Sequence, residues 1–254
     1  MSRAIEHHAE DTSAQGRHLL PDAVLRPIRD GNAFEATVEQ LATSVRLGVF
    51  AKGDRLPAER ELAERLGVSR TTLREAIHAL GQAGLVQTRR GRGGGTFVTY
   101  RAVVPVEQAA GRLWHRRAQL HDALDFRRVV EPGAAALAAA RDLSADQRAW
   151  LVRCRTEVER AQDAGAHRVA DSRLHLALAT LSGSDLLIEA VTQAQALVHE
   201  MLVAIPVLAP NISHSGVQHR QVVQAVLTGD PAGARAAMEE HCDATSALLR
   251  GLLG

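Results

Sequence analysis

Four residues in the C-terminal half of the chain have the chemistry of metal ligands. Asp171 and His175 are four positions apart, so a helix would place both on one face. His219 and His241 follow in the last two predicted helices. One carboxylate oxygen and three neutral imidazoles suit Zn²⁺, Ni²⁺, Mn²⁺ or a similar divalent ion, and leave coordination positions for water or a chelating ligand. The chain has 12 histidines, so an ordinary hydrogen-bonded or surface histidine is the alternative at each position.

A second group of residues has the chemistry of DNA binding. Between residues 53 and 98 the apolar positions recur at helical spacing and are interrupted at Gly67, which indicates a helix-turn-helix. Ser69 can cap the second helix, whose first turn then offers side chains and free N–H groups to phosphates and base edges in a major groove. The polar residues of that turn are Arg70, Thr71, Thr72 and Arg74.

Beyond Gly84 the pattern changes from helical to alternating, and residues 85–88 and 96–99 are predicted to form two short strands. The intervening RRGRGGG carries three arginines, and its glycines let the backbone approach a groove or a phosphate closely. The helices and this hairpin together predict a winged helix. A solvated hairpin without a DNA contact is the alternative.

Residues from about 35 to 100 resemble the DNA-binding domain of GntR-type bacterial regulators. They match the patterns LP-x-E-R-x-L-A, V-S-R-x-T-x-R-x-A and G-x-G-x-F-V. Ala58 stands where many relatives carry serine, which predicts a weaker helix cap. The resemblance implies that residues on the two helices contact DNA bases or phosphates, and that residues at the wing tip reach the minor groove. These are Arg60, Ser69, Arg70, Thr71, Thr72 and Arg74 for the helices, and Arg90 and Gly91 for the wing.

The C-terminal half resembles the FCD effector domain of the FadR subfamily of GntR proteins. It matches D-x-x-x-H, then H-R-x-x-x-x-A-x-x-x-G-D, then A-x-x-x-M-x-x-H. The resemblance implies that Asp171, His175, His219 and His241 bind a metal ion together. Arg127 lies in a segment similar to the family's R-x-x-x-E helix. It is predicted either to bind an effector carboxylate or to form an ion pair with Glu131, one turn away.

Composition agrees with a mainly α protein. The 254 residues are 46% hydrophobic but only 3% aromatic, and the net charge is +1. We expect a flexible arm over residues 1–31, a winged helix-turn-helix of three helices and a β-hairpin over 32–100, and an all-α bundle over 105–254. Predicted helices in the bundle cover 106–117, 119–141, 144–164, 167–182, 184–204, 214–228 and 231–251, with a loop from Pro206 to Ser215.

The two cysteines are not in a C-x-x-C arrangement, and the chain contains neither a secretory apolar region nor a long apolar span, so a reduced cytoplasmic protein without a membrane segment is predicted. The predicted function is ligand-gated binding of double-stranded DNA. A homodimer would bind an inverted-repeat operator, most simply as a repressor, and a small carboxylic acid would bind beside the metal. Two alternatives are a metal-dependent hydrolase fused to a DNA-binding domain and a regulator with a purely structural metal. The hydrolase hypothesis lacks an H-E-x-x-H helix, a G-x-S-x-G turn or a phosphate loop, so an enzyme is not expected.

Overall fold

Three helices and a β-hairpin form the N-terminal region, as predicted. The computed structural model describes residues 19–28, 32–102, 116–205 and 208–253. The helices and strands of this region are α1 (Ala33–Arg46), α2 (Glu59–Leu66), α3 (Arg70–Gln82), β1 (Val86–Arg89) and β2 (Gly95–Val98).

The turn between α2 and α3 is determined by two residues. Gly67 ends α2 with a φ of 65°, a left-handed conformation in which glycine has no steric penalty. The Ser69 hydroxyl accepts a hydrogen bond of 3.0 Å from the Thr72 N–H and so caps α3. Ala58, at the start of α2, has no side chain that could cap the helix. The apolar faces of both helices are buried, which holds α3 at a fixed angle to α2.

The hairpin is antiparallel, with Val86 opposite Val98 and Arg89 opposite Gly95. Its turn requires glycine at two positions. A Cβ atom on Gly94 would lie 2.5 Å from the carbonyl oxygen of Arg89, and Gly91 has a φ of 92°. The glycines therefore serve the tight turn of the wing itself, in addition to the close backbone approach that the sequence suggested.

In the described part of the C-terminal half, six helices form a bundle. The central helix is α4, which packs against four of the others. The helices are α4 (Arg117–Ala139), α5 (Ala145–Glu159), α6 (Ala164–Leu181), α7 (Asp185–Val203), α8 (Ala209–Thr228) and α9 (Pro231–Leu253). The structure thus has the predicted mainly α fold, with a winged helix-turn-helix followed by a helical bundle.

One predicted loop in the bundle differs from the structure, and one predicted helix is not tested. The expected loop from Pro206 to Ser215 is helical from Ala209 onward, because Pro210 lies in the first turn of α8, where a backbone N–H has no helical partner and proline is tolerated. The predicted helix over 106–117 falls almost entirely outside the described residues.

Part of the expected flexible arm is packed. Residues 19–24 are helical, and Leu20, Val24 and Leu25 are buried in the same core as the helix-turn-helix. Arg65 of α2 also forms an ion pair with Asp22. The prediction of flexibility is therefore wrong for these residues, because their apolar side chains recur at helical spacing and cover the core. The remainder of the arm lies outside the described residues.

Helix α7 is long and apolar enough to cross a membrane, with a mean hydropathy of 1.2. Its packing inside the bundle explains this apolar composition. Ile188, Val191, Ala194 and Val198 are buried, and the helix packs against α4 and α6. We therefore describe α7 as a core helix of the bundle.

Candidate metal centre and DNA-binding surface

Three histidines from three helices meet inside the bundle. His175 lies on α6, His219 on α8 and His241 on α9, and all three are buried. One ring nitrogen of each lies within 4.8 Å of those of the other two. Three imidazoles that converge in this way are a common ligand set for Zn²⁺. This cluster is the candidate metal centre.

Asp171 completes the set of four that the sequence predicted. It lies one turn before His175 on α6, and its carboxylate faces the cluster. Its Oδ1 is 3.4 Å from Nε2 of His219, and its Oδ2 is 3.9 Å from Nε2 of His175. The structure therefore brings all four residues to one place.

Two polar side chains orient the histidine rings. Oε2 of Glu131 lies 2.8 Å from Nδ1 of His175, and Oε1 of Gln218 lies 3.2 Å from Nδ1 of His241. An oxygen at Nδ1 favours the tautomer that carries its proton there, which leaves the Nε2 lone pair for a metal. Sequence reasoning predicted neither of these two supporting contacts.

Burial and neighbouring groups give three of the four side chains the protonation states of metal ligands. Loss of hydration lowers the pKa of His219 to about 4 and that of His241 well below its ordinary value, so both rings are neutral near pH 7. Burial alone would raise the pKa of Asp171, but His219 and His175 outweigh that effect and lower it. Neutral imidazoles and an ionised carboxylate are the forms that bind a divalent ion.

The hydrogen-bonding state of the rings also fits a metal ion. Among the described residues, His175 Nε2, His241 Nε2 and both ring nitrogens of His219 are buried without a hydrogen-bond partner. Buried polar atoms are normally satisfied, and a lone pair that faces three other ligands is satisfied by a metal. The residues present therefore fit a bound divalent cation.

Arg127 and Glu131 form a buried ion pair on α4. Nε of Arg127 is 3.0 Å from Oε2 of Glu131, and both side chains are almost fully buried. Gln195 donates a hydrogen bond of 2.6 Å to Oε1 of Glu131, and the thiol of Cys242 contacts Oε2 at 3.7 Å. Burial would raise the pKa of Glu131, but Arg127 and His175 outweigh it and keep that pKa well below its usual range. Glu131 thus links the arginine to the candidate metal centre.

A cavity of about 110 Å³ lies beside the metal centre. Arg127, Asp171 and Gln218 line it, which places the guanidinium and one predicted ligand at its wall. Other parts of the wall are apolar and come from α7, α8, α9 and the residues beside the break between α7 and α8. These residues include Val198, Leu202, Ile205, Leu208, Ile212 and Leu248. Arg127 therefore takes part in the predicted ion pair and also faces a space that a small ligand can enter. His199 is not among the lining residues, and its Nε2 lies 3.2 Å from the Tyr100 hydroxyl.

The predicted DNA-binding residues on the helices are exposed or partly exposed. Arg70, Thr71 and Arg74 of α3 and Arg60 of α2 are exposed, and Thr72 is partly exposed. Two of the arginines are held by surface ion pairs. Nε of Arg74 lies 2.7 Å from Oε2 of Glu59, and NH1 of Arg60 lies 3.2 Å from Oε1 of Glu64.

The wing tip extends this surface. Arg90 and Gly91 lie exposed in the turn between β1 and β2. The guanidinium carbon of Arg89 lies 4.8 Å from the centre of the Phe97 ring, a cation–π contact that fixes the base of the wing. On α3, the hydroxyl oxygen of Ser69 caps the helix and lies 2.8 Å from the hydroxyl oxygen of Thr72. Helix α3 and the wing thus present cations and free N–H groups together.

Comparison with known proteins agrees with this arrangement. Residues 34–98 match the family described as "Bacterial regulatory proteins, gntR family", and residues 122–244 match the FCD domain. FCD domains often bind a metal ion. The uncharacterised HTH-type transcriptional regulator Rv0494 of Mycobacterium tuberculosis (strain ATCC 25618 / H37Rv) is 33% identical, over 88% of this chain and 92% of that protein.

Two further proteins extend the comparison. The HTH-type transcriptional regulator LutR of Bacillus subtilis (strain 168) is 28% identical, over 82% of this chain and 96% of LutR. The solved structure of E. coli McbR/YncC superposes with a TM-score of 0.54 at 19% identity, over 89% of this chain and 100% of that one, which shows a shared fold. These families and relatives are transcription regulators and not enzymes. The chain therefore belongs to the GntR family of bacterial transcription regulators, in the FadR subfamily with an FCD domain.

Proposed function

We propose that the chain is a metabolite-responsive regulator whose FCD bundle binds a divalent metal ion and a small carboxylic acid. The observation that carries the proposal is the buried cluster of three histidines and Asp171 beside a cavity. An ordinary core histidine pairs with a neighbouring donor or acceptor, whereas these rings direct unpaired nitrogens at one another.

The metal would be held by His175, His219, His241 and Asp171. The nitrogen-rich set suits Zn²⁺ best, and Ni²⁺ or Mn²⁺ would also be accepted. When bound, the ion supplies a Lewis acid to which an effector carboxylate can attach. Arg127 lines the same cavity, and its guanidinium would bind the carboxylate from the other side.

The DNA-binding surface would contact an inverted-repeat operator as a homodimer in the cytoplasm. Two-fold symmetry of the dimer matches the symmetry of such an operator, and α3 of each subunit would enter a major groove. Arg60, Arg70 and Arg74 would contact bases and phosphates, with phosphate contacts from Ser69, Thr71 and Thr72. The wing residues Arg90 and Gly91 would reach the minor groove.

Effector binding would change the spacing of the two α3 helices. A ligand shifts DNA affinity only by its differential affinity for the two dimer geometries, typically about 1–3 kcal/mol. We propose repression that the metabolite relieves, because an effector that favours a different spacing of the α3 helices weakens operator binding.

Metal analysis of purified protein tests the metal site. We expect one divalent ion per chain in the wild type and in His214→Ala, and a lower content in His219→Ala. His214 is a matched control because it is on the same helix and lines the cavity but is not part of the cluster. Equal metal content in wild type and His219→Ala would reject His219 as a ligand.

Removal of the metal separates a sensor from a structural site. Circular dichroism of the chelated protein is expected to show a largely helical bundle that still binds DNA but no longer responds to carboxylic acids. Thermal-shift screening of such acids, with and without the ion, would identify the effector. Unfolding of the bundle on chelation would support a structural metal instead.

A further inference from the structure

Helix α4 carries an apolar stripe that no described element covers. Although α4 packs against four helices of the bundle, Phe126, Val129 and Leu137 are 39%, 72% and 45% exposed. At 100° per residue these positions lie on one face, and the neighbouring solvent-facing positions are also small or apolar. The full stripe is Phe126, Val129, Gly133, Ala136, Leu137 and Ala140. It is about 21 Å long at 1.5 Å per residue and contains no charged side chain.

Gly133, at the middle of the stripe, has no role within the chain. A Cβ atom built on it meets nothing within 4 Å among the described residues. Glycine is less favourable than alanine in a helix interior, so packing inside the bundle does not explain it. A missing side chain at the centre of an exposed apolar face does allow a second helix to approach closely.

The first three quarters of the stripe are self-complementary about a two-fold axis between residues 129 and 133. If two copies of α4 pack antiparallel, with the axis between residues 129 and 133, Phe126 of each copy lies opposite Leu137 of the other. Val129 then lies opposite Gly133, so a large side chain meets a gap. Charge is also matched beyond the stripe, because exposed Asp122 lies opposite exposed Arg141 of the other copy, whose Nε is anchored by a hydrogen bond to the Ser182 carbonyl of its own chain.

We propose that this stripe is the interface through which two copies of the chain associate. The inference rests on the homodimer in the proposed function and adds where its subunits meet. An isologous interface uses the same patch on both subunits. About the proposed axis, each large apolar side chain of the stripe meets an apolar side chain or the gap at Gly133 of the other copy, and opposite charges meet beyond it. A different partner would have no reason to match this symmetry.

Sedimentation velocity of the full-length chain over a concentration series provides the test. Val129→Arg would place two cations at the centre of the interface and is expected to raise the dimer dissociation constant by at least ~tenfold. The matched control is Val217→Arg, at a valine of α8 that is 43% exposed and lies outside the stripe. This control is expected to dimerise like the wild type.

Gly133→Leu separates dimerisation from folding. The open space around this position and the better helix propensity of leucine predict a melting temperature of the monomer equal to or above that of the wild type. The dimer should nevertheless weaken by ~tenfold or more, because leucine fills the gap opposite Val129. Asp122→Arg should also weaken the dimer, because the new cation would lie opposite Arg141 of the other copy.

The outcomes distinguish this proposal from the proposed function. A dimeric wild type with Val129→Arg and Gly133→Leu equally dimeric would overturn the α4 interface and leave the regulator function intact. A dimer that survives Val129→Arg while its melting temperature falls would show that the chain's own residues cover the stripe, and would also overturn it. A wild type that is monomeric at every concentration and on operator DNA would reject the homodimer itself.

Discussion

Glu131→Gln should destabilise the protein strongly even when no metal is present. The carboxylate is buried, 3.0 Å from Nε of Arg127 and 2.8 Å from Nδ1 of His175, and it accepts a hydrogen bond from Gln195. Glutamine has the same shape but no charge, so the buried guanidinium loses its counter-ion. Removal of one partner of a buried ion pair costs about 3–5 kcal/mol. Since a domain of this size has a free energy of unfolding of about 5–15 kcal/mol, the variant should still fold.

A double-mutant cycle isolates the ion pair. Arg127→Met removes the buried cation and leaves Glu131 without its main partner, so it should also be destabilising. In the double variant no buried charge is left on α4. The loss should therefore be at least about 2 kcal/mol smaller than the sum of the two single losses. Urea unfolding followed by circular dichroism, with a chelator present throughout, measures all four proteins.

The surface pair between Arg128 and Glu239 provides the control. These side chains are 3.3 Å apart but 37% and 33% exposed, so Glu239→Gln should cost less than about 1 kcal/mol. Single losses in the Arg127 and Glu131 cycle that add to within about 0.5 kcal/mol would refute the assignment of a coupled buried pair. A loss of unfolding free energy in Glu131→Gln that is no larger than the loss in Glu239→Gln would also refute it. With metal present, Glu131→Gln should also lower metal affinity by about 10–100-fold, because the carboxylate orients His175.

Three further predictions concern DNA binding, capping and pH. Arg70→Ala should weaken binding to a selected operator fragment by about tenfold or more, as measured by fluorescence anisotropy. Arg160→Ala, at an exposed position of the bundle, should not change this affinity. Equal affinities of the two variants would reject a DNA contact through α3. Ala58→Ser should raise the free energy of unfolding by about 0.5–1 kcal/mol in urea titrations, because the backbone at this position already has the extended conformation of a capping residue; an unchanged midpoint would show that a hydroxyl there does not cap α2. Burial lowers the pKa of His199 to about 4, so this ring stays neutral in the folded state while it gains a proton below pH 6.5 in the unfolded state. The wild type should therefore lose about 2 kcal/mol of stability through this group between pH 7 and pH 5, and His199→Gln should lose correspondingly less in unfolding titrations at the two pH values; equal losses in both proteins would reject that pKa. Tyr100, Arg168, Arg46 and Asp171 are the titratable or charged groups that influence this ring.

The convergence of Asp171, His175, His219 and His241 could be predicted from sequence, in part because the spacing of the first two reflects helix geometry. Asp171 and His175 are one turn apart, and the patterns around His219 and His241 resemble those of a known domain. Helix α3 and the wing could be predicted equally well, since Gly67, Ser69 and the glycine-rich turn each serve a local backbone conformation or a helix cap. In all these cases the information lies within a few consecutive residues.

The supporting contacts of the site could not be predicted, because they depend on how distant helices pack. Glu131 approaches His175 only when α4 lies against α6, and Gln218 reaches His241 only when α8 lies against α9. One signal was present in the sequence. Arg127 and Glu131 are one turn apart, which allowed their ion pair to be predicted but not the approach of Glu131 to His175.

The position of the site on α6 bears on how the two halves of the molecule communicate. Asp171 and His175 lie on the face of α6 that meets the candidate metal centre, whereas Val169 and Arg173 lie against Gly48 of the helix-turn-helix region. A Cβ atom on Gly48 would overlap the Val169 side chain at 2.4 Å, so the two regions are in close contact there. Because an α-helix moves as a rigid unit over one turn, a displacement of the ligand face of α6 is also a displacement of the face that contacts the DNA-binding region. The candidate metal centre and the contact with the helix-turn-helix region therefore lie on one helix, which gives a ligand in the bundle a physical route to the DNA-binding half of the chain.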